Sequence, residues 1–296
     1  MHACLLRKNM KKLNPILAFF ICFIPWNCHS LNMKKFDERI YREALDYNPK
    51  FAESFYCWKI PKKTFLEFLE IYKDRPIRSN EGGMRSHGNF FLWYLLKDIK
   101  PSLVIESGVF RGQSTWIIEQ AAPNAKIIAI DPEPKPREKK YISKKAQYLV
   151  EDFSQLVLDK NQEGLVAAFF DDHQNAFERV VQAYDKGIKY LIFDDNYPAF
   201  NYPHKGSHLT LSDCFELEEH KDKAEMLKKI VKFYYVMPQI VGKTMRNESD
   251  SQKIEITNIP AIWPSLKEVD PSMRKAMKVF YKDSPAYQYI TYVELY

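Results

Sequence analysis

Short apolar runs alternate with amphipathic stretches through the middle of the chain. The runs fall at residues 103–105, 127–130, 147–150, 166–170 and 190–193, and the segments between them have helical periodicity. Each run is apolar at successive positions, so both of its faces must be covered; this is the pattern of parallel strands joined by crossover helices. The pattern predicts an α/β fold, a doubly wound and mostly parallel sheet with helices on both faces. Upstream, residues 36–73 carry apolar and aromatic positions at helical intervals, as in Phe65, Phe68, Leu69 and Tyr72. Residues 75–88 contain Pro76, Gly82, Gly83 and Gly88 and read as a loop; Asn89 is placed to cap a helix through Phe91, Trp93, Leu95 and Leu96, which Lys100-Pro101 ends. The aromatics Phe90, Phe91, Trp93 and Tyr94 are then core residues. A helix over 174–183, a loop over 197–208, a charged helical region over 211–235 and a final strand over 287–295 complete the expectation. The organisation is a helical N-terminal extension at 31–100 and a sheet domain at 101–296.

Composition adds a question about the first 30 residues. The chain of 296 residues is 46% hydrophobic and 15% aromatic, enough for a substantial core. Its formal charge is +6, but Arg7, Lys8, Lys11 and Lys12 lie in a segment without acids, and the remainder is close to neutral. A surface that tracks phosphates is therefore not expected, and nucleic acid is excluded as a partner. The basic stretch precedes an eleven-residue apolar run at 16–26, the length of a signal-peptide core and short of a membrane span. Cys28-His29-Ser30 offers a cleavage site after Ser30, and Met10 an alternative start. Secretion or export is the expectation, with an uncleaved anchor or a buried N-terminal helix of a cytoplasmic protein as alternatives. Cys57 and Cys214 lie beyond this segment and suffice for one disulfide; no spacing suggests structural zinc. Asn247-Glu248-Ser249 is a glycosylation sequon.

The chemistry concentrates where strands give way to helices. Glu106, Gly108 and Gly112 stand at the end of the first run, where a cofactor needs room beside the backbone, and Ser114 lies at the positive end of the next helix. The spacing is not G-x-G-x-x-G, which argues against a dinucleotide. Asp131 ends the second run, where an acid can take both ribose hydroxyls of a nucleoside. Asp152 and Phe153 end the third and suit the amino group and face of adenine. The fourth and fifth runs end in Asp171-Asp172-His173 and Asp194-Asp195-Asn196. Neighbouring strands lie about 4.8 Å apart, so these carboxylates converge and repel unless protonated or joined by a cation. A divalent ion such as Mg²⁺, Mn²⁺ or Ca²⁺, bound by Asp171, Asp172, Asp194, Asp195 and Asn196, is the simplest remedy. Helix capping by Asp172 or His173 is the alternative. Arg111, His87, Lys205 and His208 are further loop residues that can face the site.

With these residues in register, the chain resembles the class I S-adenosylmethionine-dependent methyltransferases over residues 103–196. Glu106, Gly108, Gly112, Ser114, Asp131 and Asp152 match that family's positions. The stretch ESGVFRGQS is most similar to catechol O-methyltransferase, to metal-dependent sugar O-methyltransferases and to cephalosporin-hydroxylase-like proteins. The resemblance implies a Rossmann-like fold, S-adenosylmethionine as cofactor and a metal, most simply Mg²⁺, that holds and acidifies a substrate hydroxyl. Asp172 and His173 are the implied catalytic pair, with His173 the base. The expected activity is O-methylation of a hydroxylated small molecule or sugar. A secretory glycosyltransferase using Asp194-Asp195, and a methyltransferase-like binding module without catalysis, are the rival readings.

Overall fold

The computed structural model describes residue 60 and residues 62–132, 141–159, 161–197, 208–241, 245–246, 253–254, 261–263, 265–283 and 289–296. Residues 1–30, expected to be a signal or anchor, lie outside them, as do Cys57, Lys205 and the Asn247 sequon. Among the described residues no helix is long and apolar enough to cross a membrane.

Seven strands make one sheet in the order β3-β2-β1-β4-β5-β7-β6. They are β1 (Leu103–Ser107), β2 (Lys126–Ile130), β3 (Ala146–Leu149), β4 (Val166–Phe170), β5 (Tyr190–Phe193), β6 (Val231–Val236) and β7 (Thr291–Leu295). The strands β1 to β5 pair in parallel, with Val104 opposite Ile127 and Ile105 opposite Ala168. The strand β7 enters antiparallel between β5 and β6, with Ile192 opposite Tyr292 and Tyr235 opposite the same residue. Order reverses between β1 and β4, which opens a crevice at the carboxyl ends of the strands.

Among the described residues seven α-helices cover the sheet: α1 (Lys62–Tyr72), α2 (Ser86–Ile99), α3 (Gln113–Ala121), α4 (Ala176–Asp185), α5 (Leu211–Glu216), α6 (Lys221–Ile230) and α7 (Arg274–Lys282). Successive strand residues point to opposite faces, and two hydrophobic cores divide accordingly. Val104, Phe169, Ile192, Phe233 and Tyr292 join α1, α2, α3 and α7 on one side. Ile105, Phe170, Phe193, Tyr234 and Val293 join α4, α5 and α6 on the other. The helices α1 and α2 share the core of the sheet rather than standing beside it. Phe65 stacks on Phe90 at 4.4 Å, and Phe68 meets both Trp93 and Phe280. Each such fully buried ring contributes about 1.5–3 kcal/mol through the area withdrawn from water.

Three local expectations are corrected. Asn89 lies inside α2, which starts at Ser86; its side-chain amide donates to the Met84 and Arg85 carbonyls rather than capping the N–H groups of the helix start. The charged helical region stops at Ile230, and Val231 begins a strand, because Val231–Val236 gains a ladder with β7. The last strand begins at Thr291 among the described residues. The stop at Lys100 stands: it caps α2 in the left-handed region at φ 53°.

Candidate functional site

The turn after β1 is built on close backbone approach. At Gly108, φ is +93°, and a Cβ would stand 2.3 Å from the Asp171 carbonyl oxygen. The loop after β1 thus lies directly against the loop after β4. At Gly112, φ is +83° and a Cβ would meet the Tyr141 carbonyl oxygen at 2.2 Å. Glu106 is fully buried beneath this turn. The Thr115 hydroxyl donates to its Oε2 at 2.6 Å. Burial raises its pKa to about 7, against the opposing pull of the Ser114 and Thr115 hydroxyls. Asp131, at the end of β2, accepts the Val109 and Phe110 amides at 2.8 and 3.0 Å, both on Oδ2. It thereby holds the loop of β1 to the end of its neighbouring strand.

Above these residues opens a cavity of about 630 Å³, within the range of small-molecule and cofactor sites. Ser107, Gly108, Asp131, Glu151, Asp152 and Asp172 border it; Gly82 and Gly83 supply a wall from the loop before α2, together with Phe110 of the turn after β1. Beside it a pocket of about 20 Å³ is lined by Asp171, His173, Asp194, Asp195, His208 and Thr210 among others. That space suits a guest of the size of a water or a cation. One ligand atom from each of Asp171, His173 and Asp195 lies within 4.8 Å of the others. His173 Nε2 is 3.2 Å from Asp195 Oδ2, and this bond leads in raising the imidazole pKa to about 9. Asp171 and Asp194 are pushed well above the usual carboxylate range, first by burial and then by Asp195. Phe110, His173 and Asp195 all have positive φ, at 48°, 51° and 53°. Such strained backbone, in three loops meeting at one place, is characteristic of a functional site.

The structure redistributes several expected roles. Asp172 lines the small pocket but stands outside the triad, its carboxylate engaged elsewhere: Oδ2 accepts the Ser107 hydroxyl at 2.6 Å and Arg179 Nε at 2.9 Å. Asn196 is corrected from metal ligand to structural amide. Its Oδ1 accepts the Ser212 amide, and its Nδ2 donates to Tyr234 and Thr291, so the side chain is spent. Phe153 is corrected from adenine platform to core residue; its fully buried ring meets Phe170 edge-on. Asp152 does border the cavity, but both of its oxygens accept from Arg179, which drives its pKa far down. Gly112 and Ser114 support the turn from behind and are not on the cavity wall. His87 is buried in α2 against Phe91, hydrogen-bonded with the Pro238 carbonyl, away from both pockets. Cys214 is a buried free thiol. His208 does reach the small pocket, its ring 5.4 Å from that of His173. Arg179 went unrecognised in the sequence, where it is one charge on an amphipathic helix. Glu151 was legible only as the neighbour of Asp152.

No protein-family model and no curated protein matches the sequence. The order of the strands and the single reversed strand define a Rossmann-like α/β fold. Among solved structures, CmcI with Mg and SAM is similar at 16% identity and a TM-score of 0.35, over 48% of this chain and 62% of that one. The chain thus spans less than two thirds of that protein's length. The plantazolicin methyltransferase BpumL with SAH is similar at 12% identity and a TM-score of 0.39, over 88% and 98% of the two chains. An SAM-dependent O-methyltransferase from Thermotoga maritima is similar at 11% identity and a TM-score of 0.39, over 76% and 69%. Likeness at this level assigns no residue role to this chain.

Proposed function

We propose that the chain is an S-adenosylmethionine-dependent O-methyltransferase assisted by a divalent cation. The observation that carries the reading is the adjacency of the 630 Å³ cavity at the β1–β4 switch point to the pocket of Asp171, His173 and Asp195. Asp131, on the cavity wall at the end of β2, is the ribose-binding acid of this reading, and Glu151 and Asp152 border the adenine end. Two carboxylates and one imidazole are the protein's donors to the cation. This mixed oxygen and nitrogen set suits Mn²⁺ as well as Mg²⁺.

The cofactor supplies an electrophilic methyl group, and the cation a Lewis acid that favours the ionised form of a substrate hydroxyl. The protein's own part is orientation and proton transfer. His173 serves as a donor to the ion rather than as the base. His208 lies in the same pocket with its pKa lowered by burial and by His173. It is therefore the neutral imidazole suited to receive the hydroxyl proton. A small-molecule or sugar hydroxyl is the acceptor.

Calorimetric titration with S-adenosylhomocysteine, with and without Mn²⁺, tests this. Binding to the wild type and at least tenfold weaker binding to Asp131→Ala is the expected result, since a charged hydrogen-bond acceptor contributes about 1.5–3 kcal/mol. Binding of a UDP-sugar in place of S-adenosylhomocysteine makes the protein a glycosyltransferase. Binding without methyl transfer to a panel of diols makes it a binding module.

A further inference from the structure

We propose that Arg179 is a positioning residue that holds Asp172 out of the cation's donor set and so fixes that set as Asp171, His173 and Asp195. The inference rests on the cation part of the reading above and not on the cofactor.

Arg179 projects from the first turn of α4, is 4% exposed, and borders both pockets. Its donors are spoken for: Nε goes to Asp172 at 2.9 Å, Nη1 to Asp152 at 3.0 Å and to Gln182 at 2.9 Å, and Nη2 to Asp152 at 2.6 Å. A guanidinium so deeply buried is tolerable only when paired in this way, and the planar fork fixes the direction of both carboxylates. On the Asp172 side the geometry is closed. Oδ2 also accepts the Ser107 hydroxyl and Oδ1 the Gln174 amide, so the carboxylate is held toward β1 and α4. Asp171 and Asp172 are adjacent at the end of a strand, where successive side chains diverge. Both line the small pocket, but Asp171 offers an oxygen to the triad whereas the Asp172 carboxylate is retained by Arg179. The four carboxylates near the site therefore divide: Asp172 is neutralised by a fixed protein charge and Asp194 accepts the Asp195 amide, whereas Asp171 and Asp195 remain for an ion.

The test is Mn²⁺ binding to Arg179→Gln. Calorimetry gives the affinity, and water-proton relaxation counts the waters on the bound ion. Loss of the guanidinium frees Asp172, and the expected result is about tenfold tighter Mn²⁺ binding with one fewer bound water, because an added carboxylate displaces a water from the ion. A merely structural role for Arg179 predicts weaker binding. Unchanged or weaker binding, or an unchanged water count, in a variant with a wild-type circular dichroism spectrum overturns the proposal. Should Arg179→Gln be insoluble, Arg179→Lys replaces the fork with a single ammonium that cannot hold both acids; about threefold tighter binding is then expected, and none overturns it. If the wild type binds no Mn²⁺ but Arg179→Gln does, the cation reading fails and the assigned donor set fails with it. If neither binds, both fail. Titration of the wild type with S-adenosylhomocysteine reports the cofactor reading independently.

Discussion

Replacing Gly108 by alanine places a methyl group where the β1 and β4 loops already touch. The new Cβ would lie 2.3 Å from the Asp171 carbonyl oxygen, 2.5 Å from the carbonyl carbon and 2.8 Å from the Asp172 amide nitrogen. All three are backbone atoms, so no side chain can rotate away. Reaching ordinary contact requires a loop shift of about 1 Å. The positive φ adds a left-handed penalty of roughly 1–2 kcal/mol, and forced backbone displacement in a packed region about 1–3 kcal/mol more. A total near 3 kcal/mol corresponds to a fall in melting temperature of roughly 6–12 °C for a domain of this size. Gly187 is the internal control: its φ is +73°, yet a Cβ there would meet nothing within 4 Å. Gly187→Ala should therefore cost only the conformational part, about 1–2 kcal/mol. Urea unfolding at 25 °C of both variants measures the difference. Equal losses would refute the claim that close approach, rather than backbone conformation alone, requires glycine at position 108.

Two further outcomes are expected. Glu106 is protonated up to about pH 7 when folded but only to about pH 4.5 when unfolded. Ionising it therefore opposes folding by an amount that grows between those pH values and reaches about 3 kcal/mol above pH 7. Unfolding at pH 4.5 and pH 8 should show the wild type losing that much relative to Glu106→Gln, and a difference independent of pH would contradict the assignment. Asn196→Ala removes the partner of Ser212, Tyr234 and Thr291 and should cost about 2–4 kcal/mol in the same assay. Its Mn²⁺ affinity should stay within about twofold of wild type, because the amide is structural; a loss of binding in the folded variant would restore Asn196 as a ligand.

Legibility in the sequence followed burial. Runs buried on both faces and bounded by acids, such as Val166–Phe170 and Tyr190–Phe193, have the limits expected of them. Their signal is local and continuous. Val231–Val236 was hidden because the helical spacing of Leu227 and Ile230 continues into Val231, and only pairing with β7 makes the segment a strand. At the site, the positions of Gly108, Asp131 and Asp171 could be read from strand ends. The partners of the acids could not. Arg179 lies 27 residues from Asp152 and 7 from Asp172, and no local pattern distinguishes it from other helical charges.

The amino-acid sequence by itself determined the alternation of strands and helices, the glycine turn after β1 and the gathering of carboxylates at the ends of β4 and β5, because these depend on periodicity and on residue type at strand ends. Tertiary structure alone decided which carboxylates share the small pocket and which are held by Arg179. The direction of a side chain at a strand end is set by whatever packs against it, and Asp172, Asn196 and Phe153 were claimed by Arg179, by the β6–β7 ladder and by the core before any ligand could reach them.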